Sequence, residues 1–213
     1  MGKEALVVKR EILFKDKSFQ GYLNASSYDF ISIILKNHFY QTRGNELEEN
    51  KNLQQIIPYV WIINPNKKFV FLYKRTANRN KKDGEYKETR YLNKFSGGVG
   101  GHIDRDTEEG SENPIFQAMM RELKEEVIMT NYPEPRIIGY INDDTDSIGK
   151  VHFGLIAICE TNQDVHAKAE EGLLEGKFYT IQEVESIFSD EKNQIENWTR
   201  ISWPFVRECI LPK

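Results

Sequence analysis

Residues 97–129 read GGVGGHIDRDTEEGSENPIFQAMMRELKEEVIM: a glycine-rich turn, an acidic loop and a segment that closes on Arg121-Glu122-Leu123-Lys124-Glu125-Glu126. The final segment reads as a helix. Asn113 is a suitable N-cap and Pro114 suits the first helical position, where its missing N–H costs nothing. Phe116, Met120, Leu123 and Val127 recur at spacings of four, three and four, which predicts a core-facing stripe. At about 100° per residue, Glu122, Glu125 and Glu126 fall roughly 90 to 170° to one side of that stripe, on the flank that carries Ile115 and Met119. Like charges at these spacings disfavour a helix by a few tenths of a kcal/mol each. A cation beside them would remove the repulsion, and carboxylate-only ligands suit a hard ion, Mg²⁺ or Mn²⁺. The alternative is a solvated Glu/Lys face. The glycines before it, Gly97, Gly98, Gly100 and Gly101, favour the cation, because they let backbone approach a ligand or present N–H groups to a phosphate.

These residues resemble the Nudix hydrolases. The signature of that family is a Gly, five residues, a Glu, seven residues, then Arg-Glu-aliphatic-any-Glu-Glu-any-Gly-aliphatic, usually after Gly-Gly. Gly100-Gly101, Arg121-Glu122-Leu123-Lys124-Glu125-Glu126 and Met129 match it. Gly101 lies 20 residues before Arg121, six more than in the pattern. The early Glu of the pattern is Asn113 by strict counting, with Glu112 beside it as a replacement. Ile128 stands where the family has Gly, so the helix stop is expected to move to Asn131, ahead of Pro133.

The resemblance covers roughly residues 55 to 190 and implies an α/β fold, a Nudix-type α/β/α sandwich with a mixed β-sheet. It also implies Mg²⁺-dependent hydrolysis of a diphosphate linkage in a nucleoside diphosphate derivative. Glu122, Glu125, Glu126 and Glu112 are the metal ligands it suggests. Glu122, Arg121 and Glu126 are the catalytic candidates, with Glu122 a receiver of the water proton and Arg121 pairing with a glutamate. Gly100, Gly101, His102 and Arg75 are the substrate-binding candidates. His102 could instead cap the loop. Two other readings stay open: a catalytically silent Nudix-like binding module, motivated by the displaced Glu112 and the missing helix-ending Gly, and a prenyl-diphosphate isomerase. Neither Cys159 nor Cys209 has a nucleophile context for the latter.

The chain has 213 residues, which is enough for one large domain or one domain with an extension. Residues 1–50 read as an N-terminal extension with a strand over Ala5–Phe14 and a helix over Tyr28–Tyr40, where His38 is an ordinary helix histidine. The charged stretch 46–52 reads as a linker into a hydrolase domain over 51–213. A net charge of −4 and a pI near 5.7 argue against a stable nucleic-acid complex. No apolar run approaches membrane-spanning length, no signal peptide is evident, and Leu6 stands where myristoylation needs Ser or Thr. The expectation is a cytoplasmic protein with a small nucleotide or diphosphate as partner, no membrane, two unpaired thiols, and a homodimer on family grounds.

From Gln55 the pattern turns to strands. Ile56–Ile63 is apolar, Asn64-Pro65-Asn66 is a turn signal and Lys68–Tyr73 follows, which predicts a hairpin. Residues 67–94 carry ten Lys or Arg against Asp83, Glu85 and Glu88. That surplus is either a field that draws polyphosphate toward the glycine turn or a solvated hairpin loop. Arg75 ends a strand, so it is the preferred phosphate contact. Strands are expected over Arg136–Ile141, Lys150–Glu160 and Phe178–Ile181, followed by a helix over Gln182–Phe188. The acidic loop 170–176 resembles the place where some Nudix enzymes carry a further catalytic Glu. The aromatic tail around Pro204 reads as a docked terminal element or a dimer surface.

Overall fold

The structure is a computed structural model, and it describes residues 2–76, 92–169 and 173–211. In chain order the elements are β1 (Glu4–Lys9), α1 (Arg10–Leu13), β2 (Gly21–Asn24), α2 (Phe30–Asn37), β3 (Phe39–Thr42), α3 (Asn45–Glu49), β4 (Leu53–Asn64), β5 (Phe69–Arg75), β6 (Phe95–Ser96) and β7 (Gly98–Val99). Then come α4 (Arg105–Glu108), α5 (Pro114–Glu126), β8 (Val127–Ile128), β9 (Arg136–Asn142), β10 (His152–Glu160), β11 (His166–Ala167), β12 (Leu173–Thr180), α6 (Ile181–Ser189) and α7 (Asn197–Ile210). The α/β class read from the sequence is the class observed.

Two compact units are interleaved along the chain. The first comprises Met1–Tyr59, Gly100–Met119 and Ile137–Ala157. In it β1 pairs antiparallel with β3 and with the start of β4, Val7 standing opposite both Phe39 and Gln55. β2 pairs antiparallel with β9 from Gly21↔Asn142 to Asn24↔Gly139. Gly139 admits no side chain, because a Cβ there would come within 2.3 Å of the Tyr22 ring. This unit holds an aromatic cluster: Phe14, Phe19, Phe30, Tyr140 and Phe153 meet at centroid distances of 5.1 to 6.3 Å, largely edge to face. Such contacts add roughly 0.5–1.5 kcal/mol per pair beyond burial.

The second unit comprises Val60–Val99, Met120–Arg136 and Ile158–Lys213. β5 lies between β12 and the end of β4, with Phe71 opposite Phe178 and Val70 opposite Ile63. The hairpin at Asn64–Asn66 forms as read, with Lys68 N–H on the Pro65 carbonyl. The aromatic tail is α7, docked through buried Trp198, Trp203, Val206 and Ile210. Trp203 lies 6.0 Å from the Trp61 ring, whose Nε1 donates to Ser202 Oγ at 3.0 Å.

Several expected boundaries move. Residues 10–13, expected as strand, form α1. The helix expected over Tyr28–Tyr40 is the shorter α2, since Asp29 caps Ser32 N–H. The expected linker contains α3, because buried Leu47 gives that charged segment one anchoring side chain. β12 starts five residues before the expected Phe178, with a register shift between Leu174 and Lys177 that masks its alternation. Both cysteines are free, and burial pushes the Cys159 thiol up to about 12. Among the described residues no helix is long and apolar enough to cross a membrane.

Candidate active site

Helix α5 carries the acidic hexapeptide. Asn113 Oδ1 accepts from Phe116 N–H at 3.0 Å, the N-cap expected of it. The buried face runs through Ile115, Ala118, Met119, Glu122, Leu123 and Glu126, while Phe116 and Met120 are only half-buried. The stripe is therefore rotated from the one read in the sequence, toward the flank of Ile115 and Met119. The consequence is chemical: Glu122 and Glu126, 8% and 9% exposed, stand within the core-facing surface itself, whereas Glu125 is exposed. The helix also ends earlier than expected. It stops at Glu126 and not near Asn131, because β-branched Val127 and Ile128 extend into β8 and pair with β11, Ile128 opposite His166.

Burying a carboxylate is costly unless it is bonded. Arg121 supplies part of the compensation, its Nη1 donating to Glu122 Oε1 at 2.8 Å and to Glu125 Oε2 at 3.0 Å. One guanidinium thus bridges two acids one turn apart. In the same unit, the end of β5 brings Tyr73 and Arg75 to the carbonyl of Gly98. Tyr73 donates to that oxygen at 2.6 Å and Arg75 Nη2 at 3.5 Å. Arg75 Nε lies 3.8 Å from the carboxylate of Glu196, itself 4% exposed and bonded by Ser96 Oγ. Burial drives the Tyr73 hydroxyl pKa far up; Arg75 opposes this, and the carboxylates of Glu126 and Glu196 reinforce it. Tyr73, Arg75, Glu126 and Glu196 therefore share one electrostatic neighbourhood. Sequence reading did not find Tyr73, Ser96 or Glu196, and no local motif marks them.

The remaining candidates are placed as follows. Gly100 admits no side chain, since a Cβ there would lie 2.0 Å from the Pro58 carbonyl oxygen. The glycine turn is thus packed onto β4 backbone. His102 bonds Gln55 Oε1 through Nε2 at 2.8 Å. Glu112 is exposed just before the N-cap. The buried acid of that loop is Glu108, which accepts from Asp104 N–H at 2.6 Å and which the sequence reading passed over. Of the basic stretch, positions 79, 81, 82, 87 and 90 lie outside the described residues, as do Glu170 and Glu171 of the acidic loop. Glu175 pairs with Lys74 at 2.9 Å.

No family model matches the chain. It is 30% identical to protein YmaB of Bacillus subtilis (strain 168) over 207 residues, covering 94% of this chain and 95% of YmaB. Among solved structures it superposes on Tm1382, a candidate Nudix hydrolase, with a TM-score of 0.75 at 24% identity, covering 97% of this chain and 99% of that one. The chain belongs to the family of YmaB and has the Nudix fold. DR0079 from Deinococcus radiodurans is similar at a TM-score of 0.51 and 12% identity, over 81% of this chain and 91% of that one. On this Nudix fold α5 is the helix of the acidic hexapeptide, and its oxygen-only donor set fits a hard divalent ion better than a soft one.

Proposed function

We propose that this YmaB-family protein is a Mg²⁺- or Mn²⁺-dependent hydrolase that cleaves the diphosphate linkage of a nucleoside diphosphate derivative. The observation that carries the reading is the placement of Glu122 and Glu126 in the buried face of α5, with Arg121 bridging Glu122 and Glu125. A helix face that pays for two buried carboxylates has a use for them beyond solubility.

In this reading Glu122, Glu125 and Glu126 hold the ion, with Glu112 as an outer carboxylate. When bound, a divalent ion there would offset phosphate charge and lower the pKa of the attacking water. Arg121 fixes the rotamers of Glu122 and Glu125, so that their oxygens are presented without reorganisation. Glu122 receives the water proton in this reading. Arg75, oriented by Glu196 and the Gly98 carbonyl, contacts a phosphate oxygen in this reading.

The test is Mg²⁺-dependent release of phosphate or nucleotide from a panel of nucleoside diphosphate derivatives. Glu126→Gln and Glu122→Gln are expected to lower turnover by at least about 100-fold, and Glu112→Gln by less than about 10-fold. Undiminished turnover in Glu125→Gln and Glu126→Gln would remove the metal assignment. Tight nucleotide binding with no hydrolysis in either metal would identify a silent binding module instead.

A further inference from the structure

Within the first unit, three side chains from separate elements converge: Glu48 on α3, His102 in the loop after β7, and His152 at the start of β10. One ligating atom from each lies within 4.8 Å of the other two, and the two imidazole centroids are 5.6 Å apart. The hydrogen bonds around them fix the imidazole tautomers. Gln55 Nε2 donates to Glu48 Oε1 at 3.2 Å, so its Oε1 faces His102 Nε2 as an acceptor at 2.8 Å. His102 therefore donates from Nε2, and Nδ1 is the ring nitrogen left for a ligand. The Ile148 carbonyl, which can only accept, lies 2.8 Å from His152 Nδ1, so His152 donates from Nδ1 and Nε2 is the ring nitrogen left for a ligand.

One carboxylate and two imidazoles thus meet in one place, each imidazole bonded through one ring nitrogen to a fixed oxygen. We propose that Glu48, His102 and His152 bind a first-row transition ion of the Zn²⁺ class, at a site that uses none of the α5 glutamates. The donor set, two imidazoles and one carboxylate, is softer than an all-carboxylate set and suits that class. Each histidine donates its second ring N–H to a fixed oxygen, the arrangement that holds ligating imidazoles in place. If the three atoms stood 4.8 Å apart, an ion at their centre would need each to close by about 0.7 Å to reach the usual 2.0–2.1 Å. His152 is 6% exposed, while Glu48 also lines a cavity of about 390 Å³ together with Lys51, Asp146, Lys150 and Val151. Three protein ligands leave a coordination position open for a fourth ligand, water or an anion.

The test uses the full-length protein, stripped with EDTA and titrated calorimetrically with Zn²⁺ in excess Mg²⁺, and again with Glu122, Glu125 and Glu126 all changed to Gln. The expected result is a single equivalent of Zn²⁺ in both. His102→Ala or Glu48→Gln should weaken it by at least about 100-fold and Gln55→Leu by about 10- to 100-fold. Because His152 is buried and its substitution endangers folding, nitrogen NMR of the unsubstituted protein provides the second readout: His102 Nδ1 and His152 Nε2 should shift on Zn²⁺ addition. Loss of the equivalent in the triple Gln protein, its survival in His102→Ala, or unshifted imidazoles at saturating Zn²⁺ would each overturn the site.

Discussion

Gly97 has no space for a side chain. A Cβ there would stand 2.2 Å from the six-membered ring of Trp61, which is fully buried and held by its bond to Ser202. The backbone cannot yield easily either, since Gly97 N–H donates to Thr199 Oγ1 at 3.0 Å. Gly97→Ala should therefore destabilise by about 1–3 kcal/mol through overpacking, read as a lowered thermal midpoint. A midpoint equal to that of the unsubstituted protein would show that Trp61 can move aside. The same close packing explains two positions of the turn: Gly97 is demanded by Trp61 and Gly100 by the Pro58 carbonyl. A phosphate would meet a loop already fixed by the protein. At this scale the acids of the hexapeptide were legible because their spacing of three and four is local. Glu196 and the Glu48–His102–His152 cluster were not, because their partners are tens of residues away and no spacing rule connects them.

At the scale of elements, the helices whose caps are written in the chain were found where expected, and those made by tertiary contacts were not. Asn113-Pro114 marked the start of α5, but its end is set by pairing of β8 with β11, a partner nearly forty residues on. α3 rests on one buried leucine and so carries no periodicity to read. α6 shows the opposite case, a complete local capping box. Thr180 Oγ1 accepts from Glu183 N–H at 3.2 Å, and Glu183 Oε2 accepts from Thr180 N–H at 2.7 Å. Those bonds, the Thr180 backbone N–H first and its hydroxyl next, hold the Glu183 carboxyl below its ordinary value. The sign follows from that direction. A lowered folded-state pKa contributes stability that is fully present above the unfolded value and is lost as pH falls through the folded one. Glu183→Gln should flatten the acid limb of the stability curve while leaving stability below that window unchanged. Thr180→Ala should cost about 1 kcal/mol at neutral pH. Denaturant midpoints measured across the acid range check both, and an acid limb unchanged in Glu183→Gln would remove the cap from the account.

For the whole molecule, the decisive feature is connectivity. Each compact unit is built from three separate stretches of chain, and β4, α5 and β10 each begin in the first unit and finish in the second. A helix or strand cannot lose half its length without fraying the rest, since its propagation is cooperative. The units should thus unfold in one transition. All three tryptophans, Trp61, Trp198 and Trp203, belong to the second unit, whereas Glu48, His102 and His152 belong to the first. This division makes the cooperativity measurable with the proposed metal site. Zn²⁺ at about 100 times its dissociation constant stabilises a folded state by about 2.7 kcal/mol, which for a chain of this size raises the midpoint by about 5–10 °C. If unfolding is two-state, tryptophan fluorescence, which sees only the second unit, should report that full rise, and it should coincide with the melting of the His102 and His152 NMR signals. A rise seen by the histidines and absent from the tryptophans would mean that β4, α5 and β10 can each melt over half their length, and that the units are separately stable.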